Sequence, residues 1–365
     1  MAELHELLAQ LIRFPSTADQ PDQILACLHY IRDYFRREAP ALYLAEYSPA
    51  GKPSLVAANV PERQFQVMLA VHIDVVPAPP PLFQPRIVEG RLYGRGANDM
   101  KFAAALYMVL LKQLVQEQFP LPVGAIFTSD EETGGELGTG YLLEREGYRC
   151  AVCILPDAGD NWEIEIAAKG VLHLKLTAHG RAAHGSRPWL GDNALDRLID
   201  VYQRLRAHYP EVSAADPWHT TLNLGKLVGG EATNQVPDRA EMYLDFRFTE
   251  ETDAQAILDQ VHLICGEGVE VQVQTAGEFF AVEPTDPYLQ RWKQVAETIL
   301  GRPIPFTRSF GASDARFFTP YQIPVLLMKP PCAGLHSTEE WIDLEGMSLY
   351  YRILEQFLHC LAGES

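Results

Sequence analysis

The sequence predicts an α/β protein in which a doubly wound sheet is interrupted by an inserted ferredoxin-like (βαββαβ) α+β domain. Three observations lead there. Short apolar runs rich in β-branched residues alternate with helical patterns between residues 66 and 155. From about residue 171 the order becomes strand, helix, strand, strand, helix, strand. After about residue 282 the strand and helix alternation resumes, so the small domain lies inside the larger one.

In chain order, MAELHELLAQLIRF has apolar residues at helical spacing, and Glu3 and Glu6 stand where a secretory signal would carry positive charge. It reads as a surface helix of the mature protein. Residues 66–76, 122–128 and 151–155 read as buried strands, with helices at about 101–117 and 136–147 between them. In the insertion, VLHLKLTA, TLNLGKLV, AEMYLDFRF and VEVQVQT are strands, with helices near 193–208 and 252–265. A helix from about 287, a strand at 324–328 and a last helix from about 343 complete the chain. The expected limits are 1–169 and 282–365 for the larger domain and 170–281 for the insertion. A length of 365 residues exceeds the usual size of one core, which agrees with two domains.

Composition excludes several classes. A hydrophobic fraction of 47% and a charged fraction of 21% are those of a soluble globular protein. With 48 acidic and 30 basic residues, a net charge of -18 and no block of Lys and Arg, nucleic acid is not an expected partner. Bound cations would neutralise part of this acidity, although an acidic surface also serves solubility alone. No uninterrupted apolar stretch approaches the roughly 18 residues needed to span a bilayer, so a cytoplasmic protein without a membrane partner is expected. Six scattered cysteines suit a reducing compartment. Cys150 and Cys153 form a C-x-x-C, but CAVCILP reads as a buried strand and no second pair completes a zinc site.

Polar residues at the carboxyl ends of apolar strands carry the functional signal, because ligands of open α/β sheets bind there. In His72-Ile73-Asp74, strand alternation puts both polar side chains on one face, where Asp74 can fix the tautomer of a metal-binding imidazole. A strand-end histidine in a polar network is the alternative. Asp99, in the glycine-rich turn YGRGANDMK before an apolar helix, reads as a ligand or as a helix cap; the turn lacks the spacing of a phosphate loop. Ser129-Asp130-Glu131-Glu132-Thr133-Gly134-Gly135 is either a solvated acidic turn or a site where one glutamate binds metal and its neighbour is a general base. Asp157 ends the next strand, and His336 follows VLLM in GLHSTEE. Together these five positions offer the nitrogen and oxygen donor set of zinc, and also of manganese or cobalt.

HIDVVP, LYGRGANDMK, TSDEETGG, PDAG, AHGRAAHGSRP, GASDARF and LHSTEEW follow one another as in the M20 family of metallohydrolases. The chain resembles that family over nearly its whole length. Its members include di- and tripeptidases, carboxypeptidase G, acetylornithine deacetylase and succinyl-diaminopimelate desuccinylase. The resemblance implies a zinc-exopeptidase-like catalytic domain with two divalent ions, zinc first and cobalt or manganese as alternatives. His72 and Asp157 would hold one ion, Glu132 and His336 the other, and Asp99 would bridge them. Asp74 would orient His72, and Glu131 would be the general base. By the same resemblance His184 would stabilise an oxyanion, and Asn234, Arg247, Gly311 and Ser313 would contact substrate; a surface salt bridge is the alternative for Arg247.

Departures from the family pattern bear on substrate. The linker after HIDVVP is short and lacks a tryptophan frequent there, Phe102 stands where glycine is common, and residue 157 is Asp, as in aminopeptidases and dipeptidases of the family. The Asp at 157 tilts the expected substrate toward a small peptide; GASDARF and the overall size also suit the deacetylase and desuccinylase branch, so an N-acyl amino acid is the alternative, and a non-catalytic binding relative is the third reading. A homodimer is expected, formed through an exposed edge strand of the insertion; an insertion that serves only as a lid closing over the substrate is the alternative.

Overall fold

The apolar runs that end in polar residues form adjacent strands, and their burial on both faces explains why they carry no hydrophobic alternation. In the computed structural model, which describes residues 2–363, they belong to a six-stranded sheet. Its order is Tyr43–Tyr47, Ser54–Ala58, Val123–Thr128, Gln64–His72, Arg149–Ile154 and Val325–Leu326. The last four are mutually parallel, and the first two add antiparallel at one edge. This sheet lies in a unit made of Met1–Ala167, Ala281–Ser309 and Ser313–Ser365.

The helix Lys101–Gln116 is apolar almost all round, as a helix between other layers must be. Its first residue, Lys101, is fully buried. The ammonium donates to the carbonyls of Leu11 at 3.0 Å and Phe14 at 2.7 Å, which ties this helix to the end of helix Ala2–Ile12 and the turn after it. The Tyr107 hydroxyl donates to the carbonyl of Ile154 at 3.0 Å and ties this helix to the sheet. Helix Leu344–Ala362 packs on helix Pro287–Leu300 through Tyr350 and Phe357 against Trp292.

Three expected elements differ. The strand expected to reach residue 76 ends at His72; beyond it the chain leaves the sheet and Val75 N donates to the carbonyl of Ser16 instead. The helix expected at 136–147 is a wide turn, Glu136–Gly140, and a single helical turn, Tyr141–Glu144, because the glycine-rich start of the segment does not sustain a regular helix. The strand expected at 324–328 pairs only over Val325–Leu326, since Leu327 turns to bridge Glu165. Helix Pro21–Glu38 and the two antiparallel edge strands were not anticipated.

The second unit is Ala168–Phe280 with Phe310–Ala312. Four antiparallel strands run in the order Thr221–Gly229, Arg239–Phe248, Gly170–His179, Val269–Gly277. In chain sequence that is second, third, first, fourth, the ferredoxin-like arrangement. Alternate residues of Arg239–Phe248 are buried, the period expected when helices cover one face. Those helices, Ala194–His208 and Ala254–Cys265, are capped by the side chains of Asn193 and Asp253. Leu198, Val201, Leu244, Phe246 and Ile257 lie in the core between them.

Among the described residues no helix is long and apolar enough to cross a membrane. All six cysteines are free, and Cys150 and Cys153 lie on strand Arg149–Ile154. Leu198→Ala should cost about 2–5 kcal/mol, seen as earlier unfolding in a urea titration followed by far-ultraviolet circular dichroism.

Candidate metal centre

Three neighbouring parallel strands bring the candidate ligands to one edge of the sheet. Leu69 is in register with Ile154, and His72 with Thr128. His72 therefore ends the middle strand, Asp157 follows the strand on one side, and Glu131 and Glu132 follow the strand on the other. Asp99 comes from the turn before helix Lys101–Gln116, and its peptide bond to Met100 is cis. His336 comes from the loop between Cys332–Ala333 and Trp341–Asp343, which pair antiparallel. It adopts a left-handed backbone with φ 56°.

Asp99 is the centre of the arrangement. Its Oδ1 is 3.1 Å from Nε2 of His72, and its Oδ2 is 3.1 Å from Nε2 of His336. Asp157 Oδ1 lies 3.7 Å from the same nitrogen of His72, and Glu132 Oε1 lies 3.5 Å from that of His336. Two groups result, His72 with Asp99 and Asp157, and Asp99 with Glu132 and His336. Within each, the donor atoms lie within 4.8 Å of one another.

The electrostatics are those of a cation site. Burial, then the charge of Asp157, holds the carboxyl of Glu131 well above the usual range. Burial, then Asp99, pushes Glu132 up to about 7. Asp157 is raised, again first by burial. Burial opposes charge on His72 as well, yet hydrogen bonds with Asp157, Asp74 and Asp99 lift it well above its ordinary value. Asp99, also buried, is nonetheless pulled well below the carboxylate range by His336 and His72. Such crowded carboxylates, with two imidazoles as their nearest partners, fit a pair of divalent ions sharing Asp99.

The support of His72 differs in detail from the expectation. Nδ1 makes its hydrogen bond with the backbone carbonyl of Asp74 at 3.1 Å, and the carboxylate Oδ1 is 3.5 Å away. The other carboxylate oxygen accepts from the amide of Glu132 at 3.0 Å. Asp74 thus joins the His72 segment to the acidic turn. Within that turn the three carboxylates divide. Asp130 faces inward, its Oδ2 accepting from Leu137 N at 2.9 Å, while Glu132 lies beside His336 and Glu131 is within reach of the charges of Asp157 and His72. Gly135 has φ 76°, and a Cβ there would meet the buried carboxylate of Asp314, so no other residue suits the turn.

Sequence reasoning missed the residues that hold the loops. Glu340 is fully buried. Its Oε1 accepts from the amides of Gly96 at 3.0 Å, Asn98 at 2.8 Å and Asp99 at 3.2 Å, and its Oε2 pairs with Arg95 Nη1 at 2.5 Å. Arg95 also donates to the carbonyl of Ser337 at 3.2 Å. One carboxylate thereby ties the turn presenting Asp99 to the loop presenting His336. On the other side, Asp314 accepts from the Thr139 hydroxyl at 2.6 Å and Arg316 bonds the carbonyl of Gly134. The strings GASDARF and LHSTEEW were visible in the sequence, but not which of their charges point inward.

In the second unit, Gly185 N donates to the carbonyl of Asn234 at 2.6 Å, and Ala183–His184 pairs with Gln235–Val236. The structure thus brings His184 and Asn234 together; His184 Nδ1 lies 2.8 Å from the Ser186 hydroxyl. Arg247 Nε donates to Asp245 at 2.9 Å, the ion pair considered as its alternative, and Asp245 also faces His173 Nε2 at 3.2 Å. Ser313 caps the helix Asp314–Tyr321. Gly311 lies in the short segment Phe310–Ala312 that belongs to the second unit.

Parallel strands that gather two histidine and carboxylate groups around one shared aspartate form a candidate centre for a pair of metal ions. The profile of Peptidase family M20/M25/M40 matches residues 68–359, and the chain belongs to that family. It is 29% identical over 394 aligned positions to a succinyl-diaminopimelate desuccinylase of Acidovorax ebreus (strain TPSY), with 98% of each chain covered. It is 30% identical over 339 positions to the enzyme of that name from Gluconacetobacter diazotrophicus, with 86% of each covered. A tripeptidase of Staphylococcus aureus has the same fold, with a TM-score of 0.80 at 22% identity over 99% of this chain and 98% of that one.

Glu340→Ala would leave Arg95 buried without its carboxylate and three amides without an acceptor, a loss of about 3–5 kcal/mol. The melting temperature should fall. Bound metal, measured by atomic emission, should drop because Asp99 is no longer held. Full metal content in folded Glu340→Ala protein would refute the link from Glu340 to Asp99.

Proposed function

We propose that the chain hydrolyses the amide bond of an N-acyl amino acid, using two divalent ions, zinc in the first instance. The observation that carries the metal chemistry is Asp99, with one oxygen 3.1 Å from each of two imidazoles. His72 and Asp157 would hold one ion, Glu132 and His336 the other, and Asp99 both. Bound there, the ions supply polarisation of the scissile carbonyl and a lowered pKa for the attacking water.

The chain's own residues do the rest. Glu131, among the carboxylates of the centre, takes the proton of the attacking water and delivers it to the leaving nitrogen. Asp74 keeps His72 in one tautomer through its carbonyl and carboxylate. By the family resemblance, His184 supplies an oxyanion donor, and Asn234, Gly311 and Ser313 contact substrate. Arg247 suits a substrate carboxylate only by exchanging its present partner Asp245. Thr221–Gly229 and Val269–Gly277 are the edges of the inserted sheet, and a homodimer through such an edge is part of the proposal.

The N-acyl reading departs from the lean toward peptides drawn from residue 157. What supports it is identity of 29% and 30% to desuccinylases over most of both chains, whereas the likeness to a tripeptidase at 22% identity speaks for fold alone. A peptide with a free amino terminus remains the second reading, favoured by Asp157 where deacylases of the family more often carry Glu.

Metal analysis of purified protein should find close to two divalent ions per chain. Glu131→Ala should lower kcat by about a thousandfold or more with metal content unchanged; retained activity sinks the assignment of the base. A panel of N-succinyl and N-acetyl amino acids against free dipeptides decides the substrate class. Turnover of acylated substrates is expected, and turnover of dipeptides alone would reverse the two readings.

A further inference from the structure

A lysine that the chemistry above does not use lies against the centre. Lys329 is 1% exposed, and its main chain is fixed at both ends: its amide donates to Gly159 O at 2.8 Å and its carbonyl accepts from Trp162 N at 2.9 Å. Its ammonium is 3.9 Å from Oδ1 of Asp157, the same oxygen that lies 3.7 Å from Nε2 of His72. The other charged neighbours are unequal to Asp157. Asp160 Oδ1 is also 3.9 Å away, but that side chain is 48% exposed against 9% for Asp157, so water screens it more. Glu165 is buried, and burial first, then Asp157, pushes its carboxyl up to about 8, leaving it largely uncharged at neutral pH. Asp99 also acts on the ammonium, while Cys332 is a buried thiol.

We propose that Lys329 is a positioning residue and built-in counter-charge: its ammonium holds Asp157 when no metal is present and makes the His72 and Asp157 side the weaker of the two metal positions. The inference rests on the two-ion reading above. It requires no change in the protonation of Lys329, only a fixed positive charge near one ligand group. The group of Glu132 and His336 has no corresponding lysine among the ion pairs of the described residues; the cation acting on His336 is Arg95, whose charge is offset by its pairing with buried Glu340 at 2.5 Å. A cation approaching Asp157 meets the repulsion of that ammonium, and one approaching Glu132 meets less of it. In the metal-free protein the same charge relieves the repulsion among Asp157, Asp99 and their neighbours.

The test is calorimetric titration of metal-free protein with Co2+, together with melting temperatures with and without the ion. Wild type should show two binding events of unequal affinity, and Asp157→Ala should remove the weaker. Lys329→Met should tighten the weaker event about tenfold or more while leaving the stronger within about twofold. It should also lower the melting temperature of the metal-free protein, so that Co2+ raises it further than in wild type. A role in packing alone would lower both melting temperatures together and leave affinity unmoved. Lys329→Arg, which keeps the charge, should retain two unequal events. Lys329→Gln carries the same expectation as Lys329→Met and serves if the latter does not fold.

Equal affinities in wild type, or unchanged or weaker Co2+ binding in the uncharged variants, overturns the proposal for Lys329. If instead Asp157→Ala and Glu132→Ala both still bind two ions with wild-type affinity, the metal centre itself is misassigned.

Discussion

Asp99 offers one carboxylate oxygen to each of two imidazoles, and the rest of the catalytic unit is arranged so that it can. Like charges gathered in a low-dielectric pocket repel, and such a cluster persists only if each member is held from behind. The holding groups are specific: Glu340 for the Asp99 turn, the Asp74 carbonyl for His72, and the Asp314 and Arg316 pair for the acidic turn. Parallel strands supply the common edge, because their carboxyl ends lie side by side.

The acidic turn shows how neighbouring identical charges come to face different surroundings. Asp130 is consumed in closing the turn onto Leu137, and the amide of Glu132 is taken by Asp74. With the backbone fixed at both points, Glu132 emerges beside His336, and Glu131 within reach of the charges of Asp157 and His72. Gly135 permits the turn to close against Asp314, where any side chain would collide. Backbone geometry rather than residue type sets where each of these carboxylates points.

Evidence on substrate is of another kind. The candidate metal centre is a matter of donor atoms and their spacing, which bear on the reacting bond. Selection among acyl groups and peptides depends on residues that meet the substrate rather than the reacting bond. In this chain two of the candidates for that, Asn234 and Arg247, belong to the inserted unit, and Arg247 is already paired with Asp245. Similarity to desuccinylases therefore weighs more on this question than the single residue Asp157.

The sequence by itself determined the fold class, the βαββαβ order of the insertion and the candidate ligands, because apolar periodicity and strand-end polar residues are local signals. Buried elements of even hydrophobicity, such as Lys101–Gln116 and Gln64–His72, were legible for the same reason. Helix Pro21–Glu38 carries the same kind of local signal, an apolar stripe of Ile24, Cys27, Leu28, Ile31, Tyr34 and Phe35. The extent of strands near 73–76 and 327–328 was not legible, since pairing with distant residues sets where a strand stops. Only the tertiary structure decided that Asp74 reaches His72 chiefly through its carbonyl, that Glu340 governs the Asp99 turn from 241 residues away, and that a lysine stands behind Asp157. Each of these depends on the direction of one side chain within a packed interior, which no spacing in the sequence encodes.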